Sequence, residues 1–225
     1  STRVGAKMMH ELAIEFMLYG YEIIIVTPGD NTQENRLTKS VIDDVEVWKF
    51  RSGPVKDVSR IKRAINETLM PFNAWLAIRH EVKKKPFEGI VYYSPSIFFG
   101  PLVKKLKHSC ECKSYLILRD LFPQWVIDDG ILKEKSVITK YFRFFENINY
   151  KAADAIGLMS PKNLDLFIKK HPALQNLNVL YNWASTTSVR NINSDNSIRS
   201  KLCLEEKIIF FYGGNIGHAQ DMKNL

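Results

Sequence analysis

Short apolar runs rich in β-branched and aromatic residues recur along this chain, each closed by a turn signal and followed by residues at helical spacing. Ile23-Ile24-Ile25-Val26 ends in Thr27-Pro28-Gly29, and Gly89-Ile90-Val91-Tyr92-Tyr93 ends in Ser94-Pro95-Ser96. Tyr115-Leu116-Ile117-Leu118 and Ala155-Ile156-Gly157-Leu158-Met159 follow the same plan. Runs this short, apolar on both faces, read as strands buried on both sides of a parallel sheet. Strands that alternate with helices predict a doubly wound, Rossmann-like α/β fold with crossover connections.

The segments between the strands fill in this plan. Met9, Leu12, Ala13, Phe16 and Met17 place a helix before Gly20, where a left-handed residue would stop it. In an α/β sheet the first helix normally follows a strand, so a strand is expected upstream of Ser1. Val45 and Val47 alternate with Glu46 and Lys49 and predict a strand with one wetter face, whereas Asp30 to Ser40 shows no period and reads as a loop. A long helix runs through Ile61, Ile65, Leu69, Phe72, Leu76 and Val82, and Pro71 should kink or divide it. Pro101 fits the first turn of a helix after Gly100, and Ser160-Pro161 fits a cap followed by a first-turn proline. Ser136 to Ala153 predicts a helix with an aromatic inner face of Tyr141, Phe142, Phe145 and Tyr150.

Residues 184–200 shift to Ser, Thr and Asn and read as a linker between a domain over 1–183 and the start of a second over 201–225. That second part opens on Lys207-Ile208-Ile209-Phe210-Phe211, predicted as a strand, and runs into the glycine loop Gly213-Gly214-Asn215-Ile216-Gly217. Glycines at such a place let the backbone approach a ligand, and the amides of a following helix suit a phosphate.

With 45% hydrophobic and 25% charged residues among 225, the chain has material for a core and no signature of disorder. Its net charge of +8 favours polyanionic neighbours, or else only keeps the protein soluble. No apolar run reaches the ~20 residues of a membrane span. Three cysteines in no framework spacing point to a reducing compartment. His108-Ser109-Cys110-Glu111-Cys112 lacks a second ligand pair at zinc-site spacing, so a loop is expected there and no metal. From Arg60 to Lys85, basic residues mix with aromatics, either as a solvated helix face or as a surface for anionic lipid. No stacking module or recognition helix accompanies the charge, and nucleic acid is not an expected partner. Arg119 and Asp120 stand at the end of a predicted strand, where open parallel sheets place their ligand crevice. They form either part of a site or a local salt bridge.

Several of these segments, taken in order, resemble a known family. They are Arg119-Asp120-Leu121-Phe122-Pro123-Gln124-Trp125, Tyr150-Lys151-Ala152-Ala153-Asp154, Ser160-Pro161-Lys162-Asn163, Tyr181-Asn182-Trp183 and Phe211-Tyr212-Gly213-Gly214-Asn215-Ile216-Gly217. Together they resemble the retaining family 4 glycosyltransferases of the GT-B fold. The nearest branch is that of bacterial surface-polysaccharide enzymes similar to the N-acetyl-L-fucosaminyl transferase of O-antigen assembly.

The resemblance implies two Rossmann-like domains across a cleft, the first taking the acceptor and the second a nucleotide-diphosphate sugar, with no cofactor and no metal. It implies catalytic roles for Asp120 and Arg119, and acceptor contacts at Tyr93, Ser94 and Trp125. Donor contacts fall on Asn182, Gly213, Gly214, Asn215, Gly217 and Gln220. Asn215 and Gln220 depart from the family pattern, which has basic residues there. Relatives carry a Glu-x7-Glu pair beyond the glycine loop, and this chain does not contain it. As written, the chain is therefore expected to be the acceptor-binding half and to transfer no sugar alone. The implied acceptor is a sugar on polyprenyl diphosphate or a saccharide, and the implied location is cytoplasmic, peripheral on the inner face of the membrane. A non-catalytic α/β binding or scaffolding module is the alternative.

Overall fold

The structure, a computed structural model, describes residues 4–94, 96–184, 198–210 and 213. Contacts divide the chain into two units, Ser1–Ser185 and Thr186–Leu225.

In the first unit, α1 (Val4–Leu18) leads through Gly20, whose φ of 85° only glycine adopts freely, to β1 (Ile24–Pro28). β2 (Leu37–Ile42) and β3 (Val45–Phe50) form a hairpin, and α2 (Arg60–Lys84) connects to β4 (Gly89–Ser94). Next come α3 (Gly100–Cys110), β5 (Lys113–Leu118), the short α4 (Gln124–Asp128) and α5 (Val137–Ala152). β6 (Ala155–Leu158), α6 (Pro161–Lys170) and β7 (Leu177–Val179) complete the unit.

The strands form two hydrogen-bonded sheets. One has the order β1-β3-β2, with β1 parallel and β2 antiparallel to β3. The other, β4-β5-β6-β7, is parallel throughout. Leu116, Ile117, Leu118, Ile156 and Leu158 are buried at the centre of this second sheet, each burial worth about 1.5–3 kcal/mol. Tyr150 of α5 and Phe167 of α6 pack on it. A second cluster brings Trp48 and Phe50 of β3 against Ala74, Ile78 and Val82 of α2 and Leu102 and Leu106 of α3. Ile24 of β1 and Ile90 of β4 join that cluster, so the two sheets share one helix layer.

Serine caps start three of the helices. The hydroxyls of Ser59, Ser136 and Ser160 accept from the backbone N–H of Lys62 (3.3 Å), Thr139 (3.2 Å) and Asn163 (3.2 Å). Pro101 and Pro161 occupy first turns, where a missing N–H costs nothing.

Four sequence expectations are corrected. Residues 37–40, the end of the stretch read as a loop, belong to β2 (Leu37–Ile42), an edge strand whose mostly wet residues carry no alternation to detect. α2 is not divided at Pro71, which sits buried inside a continuous helix. The apolar series Ile61, Ile65, Leu69, Phe72 and Leu76 does not face the core but is exposed, while Met70, Ala74, Ile78 and Val82 are buried. Lys207–Phe210 is not a strand: no ladder partner engages it among the described residues, and Phe210 is 96% exposed. The Lys207 carbonyl is instead drawn into a turn by Arg199, whose Nη1 also donates to the carbonyls of Leu204 and Glu205. The second unit otherwise shows only the short helix α7 (Ile198–Lys201) among its described residues.

Candidate functional site

The register of the parallel sheet brings its carboxyl ends into line. Ser94 pairs with Leu118, Leu118 with Leu158, and Leu158 with Val179. The residues just beyond them, Arg119 and Asp120 after β5 and Leu180 to Trp183 after β7, therefore share one edge. This is where an open parallel sheet leaves its crevice.

Arg119 joins two strand ends. Its Nη1 donates to the carbonyl of Leu180 and its Nη2 to that of Tyr181 at 3.1 Å. Its guanidinium carbon lies 5.5 Å from the ring centroid of Trp183, within cation–π range. Burial lowers its pKa, while Tyr93 and Tyr115 push it back up. Among the described residues, Arg119 Nε and Trp183 Nε1 are buried donors with no partner. A buried unpaired donor is costly, so both are suited to receive a ligand oxygen.

Asp120 stands beside this clamp. Burial raises its carboxyl above the ordinary value of 3.8, and a hydrogen bond from Trp125 partly offsets the rise. A carboxyl held above its ordinary range is a stronger proton acceptor than an exposed one. The fully buried Ser94 Oγ donates to the Asp120 carbonyl at 3.4 Å, tying β4 to the same loop. Tyr93 lies within electrostatic reach of both neighbours: burial raises its pKa, Arg119 lowers it and Asp120 raises it. Trp125, on α4, leaves part of its ring open to solvent.

The structure thus gathers Tyr93, Ser94, Arg119, Asp120 and Trp125 at one end of the parallel sheet. Asn182 lies in the exposed segment after β7, next to the carbonyls that Arg119 holds. Gly213 is exposed, without secondary structure, and belongs to the second unit. Gly214, Asn215, Gly217 and Gln220 lie outside the described residues.

Sequence reasoning missed two features here. Tyr115 reaches across β6 to donate to Asn178 Oδ1 at 2.7 Å. It can do so because Gly157 has no side chain: a Cβ there would collide with the Tyr115 hydroxyl and come within 2.8 Å of Leu180 Cβ. Behind Asp120, the buried carboxylate of Glu146 accepts from Arg143 at 2.8 Å and from the Tyr150 hydroxyl at 3.0 Å. Arg143 also donates to Gln124 Oε1 at 2.6 Å, which fixes the start of α4. An acid and a base three residues apart on an aromatic helix face was the available hint.

Among the described residues, no group of three or more His, Cys, Asp or Glu side chains could hold a metal ion, and no helix is long and apolar enough to cross a membrane. Cys110, Cys112 and Cys203 are free thiols.

No family model matches the chain. Over 184 residues the chain is 22% identical to WcaI of Escherichia coli (strain K12), named for colanic acid biosynthesis glycosyl transfer. The match takes in 80% of this chain and 45% of WcaI, so the chain spans about half the length of that relative. Among solved structures, a sucrose-phosphate synthase from Thermosynechococcus elongatus matches with a TM-score of 0.54 and 11% identity. The match covers 83% of this chain and 87% of that one. The fold is a Rossmann-like α/β domain.

Proposed function

We propose that this chain belongs to a glycosyltransferase that moves a sugar from a nucleotide-diphosphate donor to an acceptor in bacterial surface-polysaccharide synthesis. The observation that carries the reading is the Arg119-Asp120 pair at the carboxyl end of β5, in a chain similar to WcaI. Asp120 would accept a hydrogen bond from the incoming acceptor hydroxyl and orient it, while the hydroxyl proton would pass to the departing diphosphate oxygen on the same face, as retention requires. Arg119 would hold the β7 exit, and with it Asn182, against the donor side of the cleft. Tyr93, Ser94 and Trp125 would line the acceptor side. Backbone amides and basic side chains, with no metal, would meet the charge growing on the leaving diphosphate.

The finer reading is a retaining, family 4 enzyme of GT-B architecture that acts on a lipid-linked or saccharide acceptor at the inner face of the membrane. The basic stretch from Arg60 to Lys85 would face anionic lipid. The resemblance of the five segments supports it. A non-catalytic binding module is the second reading, favoured by the use of Arg119 to hold backbone carbonyls.

The test is transfer of a labelled sugar from a panel of nucleotide-diphosphate sugars into bacterial lipid or saccharide acceptors, by the gene product that carries this chain. Turnover that falls about 100-fold or more in Asp120→Asn is the expected result, the scale of a misplaced reacting group. Turnover indifferent to this change would remove Asp120 from the chemistry.

A further inference from the structure

We infer that the N-terminal halves of α2 and α5 form one apolar surface that seats in the interfacial layer of an anionic lipid bilayer. This deepens the membrane reading of Arg60 to Lys85, and it moves the contact from the basic end of that stretch to its apolar beginning.

α2 has two apolar faces. The core takes Met70, Ala74, Ile78 and Val82. Ile61, Ile65, Leu69, Phe72 and Leu76 form a second stripe, spaced by three or four residues and open to solvent, with Ile61 at 75% and Phe72 at 49% exposure. On α5, Val137 (82% exposed), Ile138, Tyr141 and Phe144 are also open. A hydrogen bond between Thr68 Oγ1 and the Tyr141 hydroxyl joins the two helices at this surface. Exposed large apolar side chains grouped in this way on two neighbouring helices mark a surface suited to a partner.

Charge selects the partner. Arg60 and Lys62 flank the stripe on α2, Lys140 flanks it on α5, and none of the three has an ion pair among the described residues. Glu67, the acid in this half of α2, is already engaged by Arg63. Beside Leu76 the surface opens into a cavity of about 290 Å³ lined in part by Arg36, Arg51, Asn31 and Asn73, a setting for a lipid phosphate. A second copy of the chain would bring these cations against their own likenesses, whereas anionic head groups would neutralise them as the apolar side chains enter the acyl boundary. Toward the far end of α2, Lys84 pairs with Glu81 and Lys85 with Glu22, so their charge is partly spent.

Topology gives the surface its use. α2 leaves the carboxyl end of β3 and α5 follows the carboxyl end of β5, each returning to the amino end of the next strand. Their first turns therefore stand at the edge of the sheets that carries Arg119 and Asp120. Seated there, the bilayer would hold an amphiphilic acceptor close to the crevice.

The test is co-sedimentation of this chain with vesicles of phosphatidylcholine alone or mixed with phosphatidylglycerol, alongside sedimentation equilibrium without lipid. The chain should pellet with the mixed vesicles. The double variant Leu69→Ser, Phe72→Ser should bind them about tenfold or more weakly while keeping a cooperative melt above the assay temperature, because about half of each side chain already faces solvent. Arg60→Glu with Lys62→Glu should abolish the preference for mixed vesicles. Wild-type binding by the apolar variant, or no pelleting of the wild type, would overturn the inference. A dimer dissolved by the apolar variant, without vesicle binding, would assign the surface to a second copy and also overturn it. Vesicle binding by a gene product that transfers no sugar would count against the enzymatic reading alone.

Discussion

Arg119 Nη2 donates to the carbonyl oxygen of Tyr181 at 3.1 Å, so the residue that follows β5 fixes the course of the chain as it leaves β7. With Nη1 on Leu180 and the guanidinium near the ring of Trp183, one side chain serves as the latch of that exit. Arg119→Ala should cost about 1.5–3 kcal/mol in denaturant unfolding, the range for hydrogen bonds from a charged donor. Arg119→Lys should recover only part of it, because a single ammonium cannot reproduce the two-pronged contact. Equal stability of wild type and Arg119→Ala would show that the latch carries no load.

Asp120 should make the protein less stable as pH rises. Burial raises its pKa in the folded state above the ordinary 3.8. Between the unfolded and folded values the native state therefore holds the extra proton, and stability falls as pH climbs through that window. Asp120→Asn should raise the melting temperature at neutral pH, and the gain should shrink as the pH is lowered toward 3.8. A gain independent of pH would contradict the assignment.

Asp154 has the opposite sign. Burial pushes its carboxyl up, but the Lys107 ammonium at 2.6 Å and the N–H and hydroxyl of Ser114 outweigh that and bring it down to about 2. Its contribution is fully present above the ordinary value of 3.8 and is lost as pH falls toward about 2. Acid titrations followed by circular dichroism should show a shallower loss of stability over that window in Asp154→Asn than in the wild type.

Gly100 marks a close approach of α3 to the backbone of α5. A Cβ there would stand 2.7 Å from the backbone N and Cα of Asn149, which side-chain motion cannot relieve. Gly100→Ala should destabilise by about 1–3 kcal/mol despite the better helix propensity of alanine, as overpacking does. Thermal melts of the two proteins check it, and a stabilised variant would mean that the helices can move apart at little cost.

The sequence made the central strands legible because their burial on both faces leaves a plain apolar run, and the starts of α3 and α6 legible because proline and serine mark them. It misled on α2, where two apolar stripes share one helix. Bulk favours Ile61, Leu69 and Phe72, yet the close helix layer takes Ala74 and Ile78. It misled again at Lys207–Phe210, where composition suits a strand but a strand needs a ladder partner. The position of Arg119 and Asp120 followed from the strand-end rule. What Arg119 holds, how Gly157 lets Tyr115 reach Asn178, and how Glu146 is satisfied are contacts between distant segments, with no trace in local pattern.

The most direct measurement is sugar transfer by the gene product carrying this chain, read as label moved from nucleotide-diphosphate sugars into lipid or saccharide acceptors, with Asp120→Asn and Arg119→Ala run beside it. Transfer from at least one donor is expected, cut about 100-fold or more by the first change and lowered by the second along with stability. No transfer from any donor by a folded protein, or transfer that both variants sustain at the wild-type rate, would contradict it.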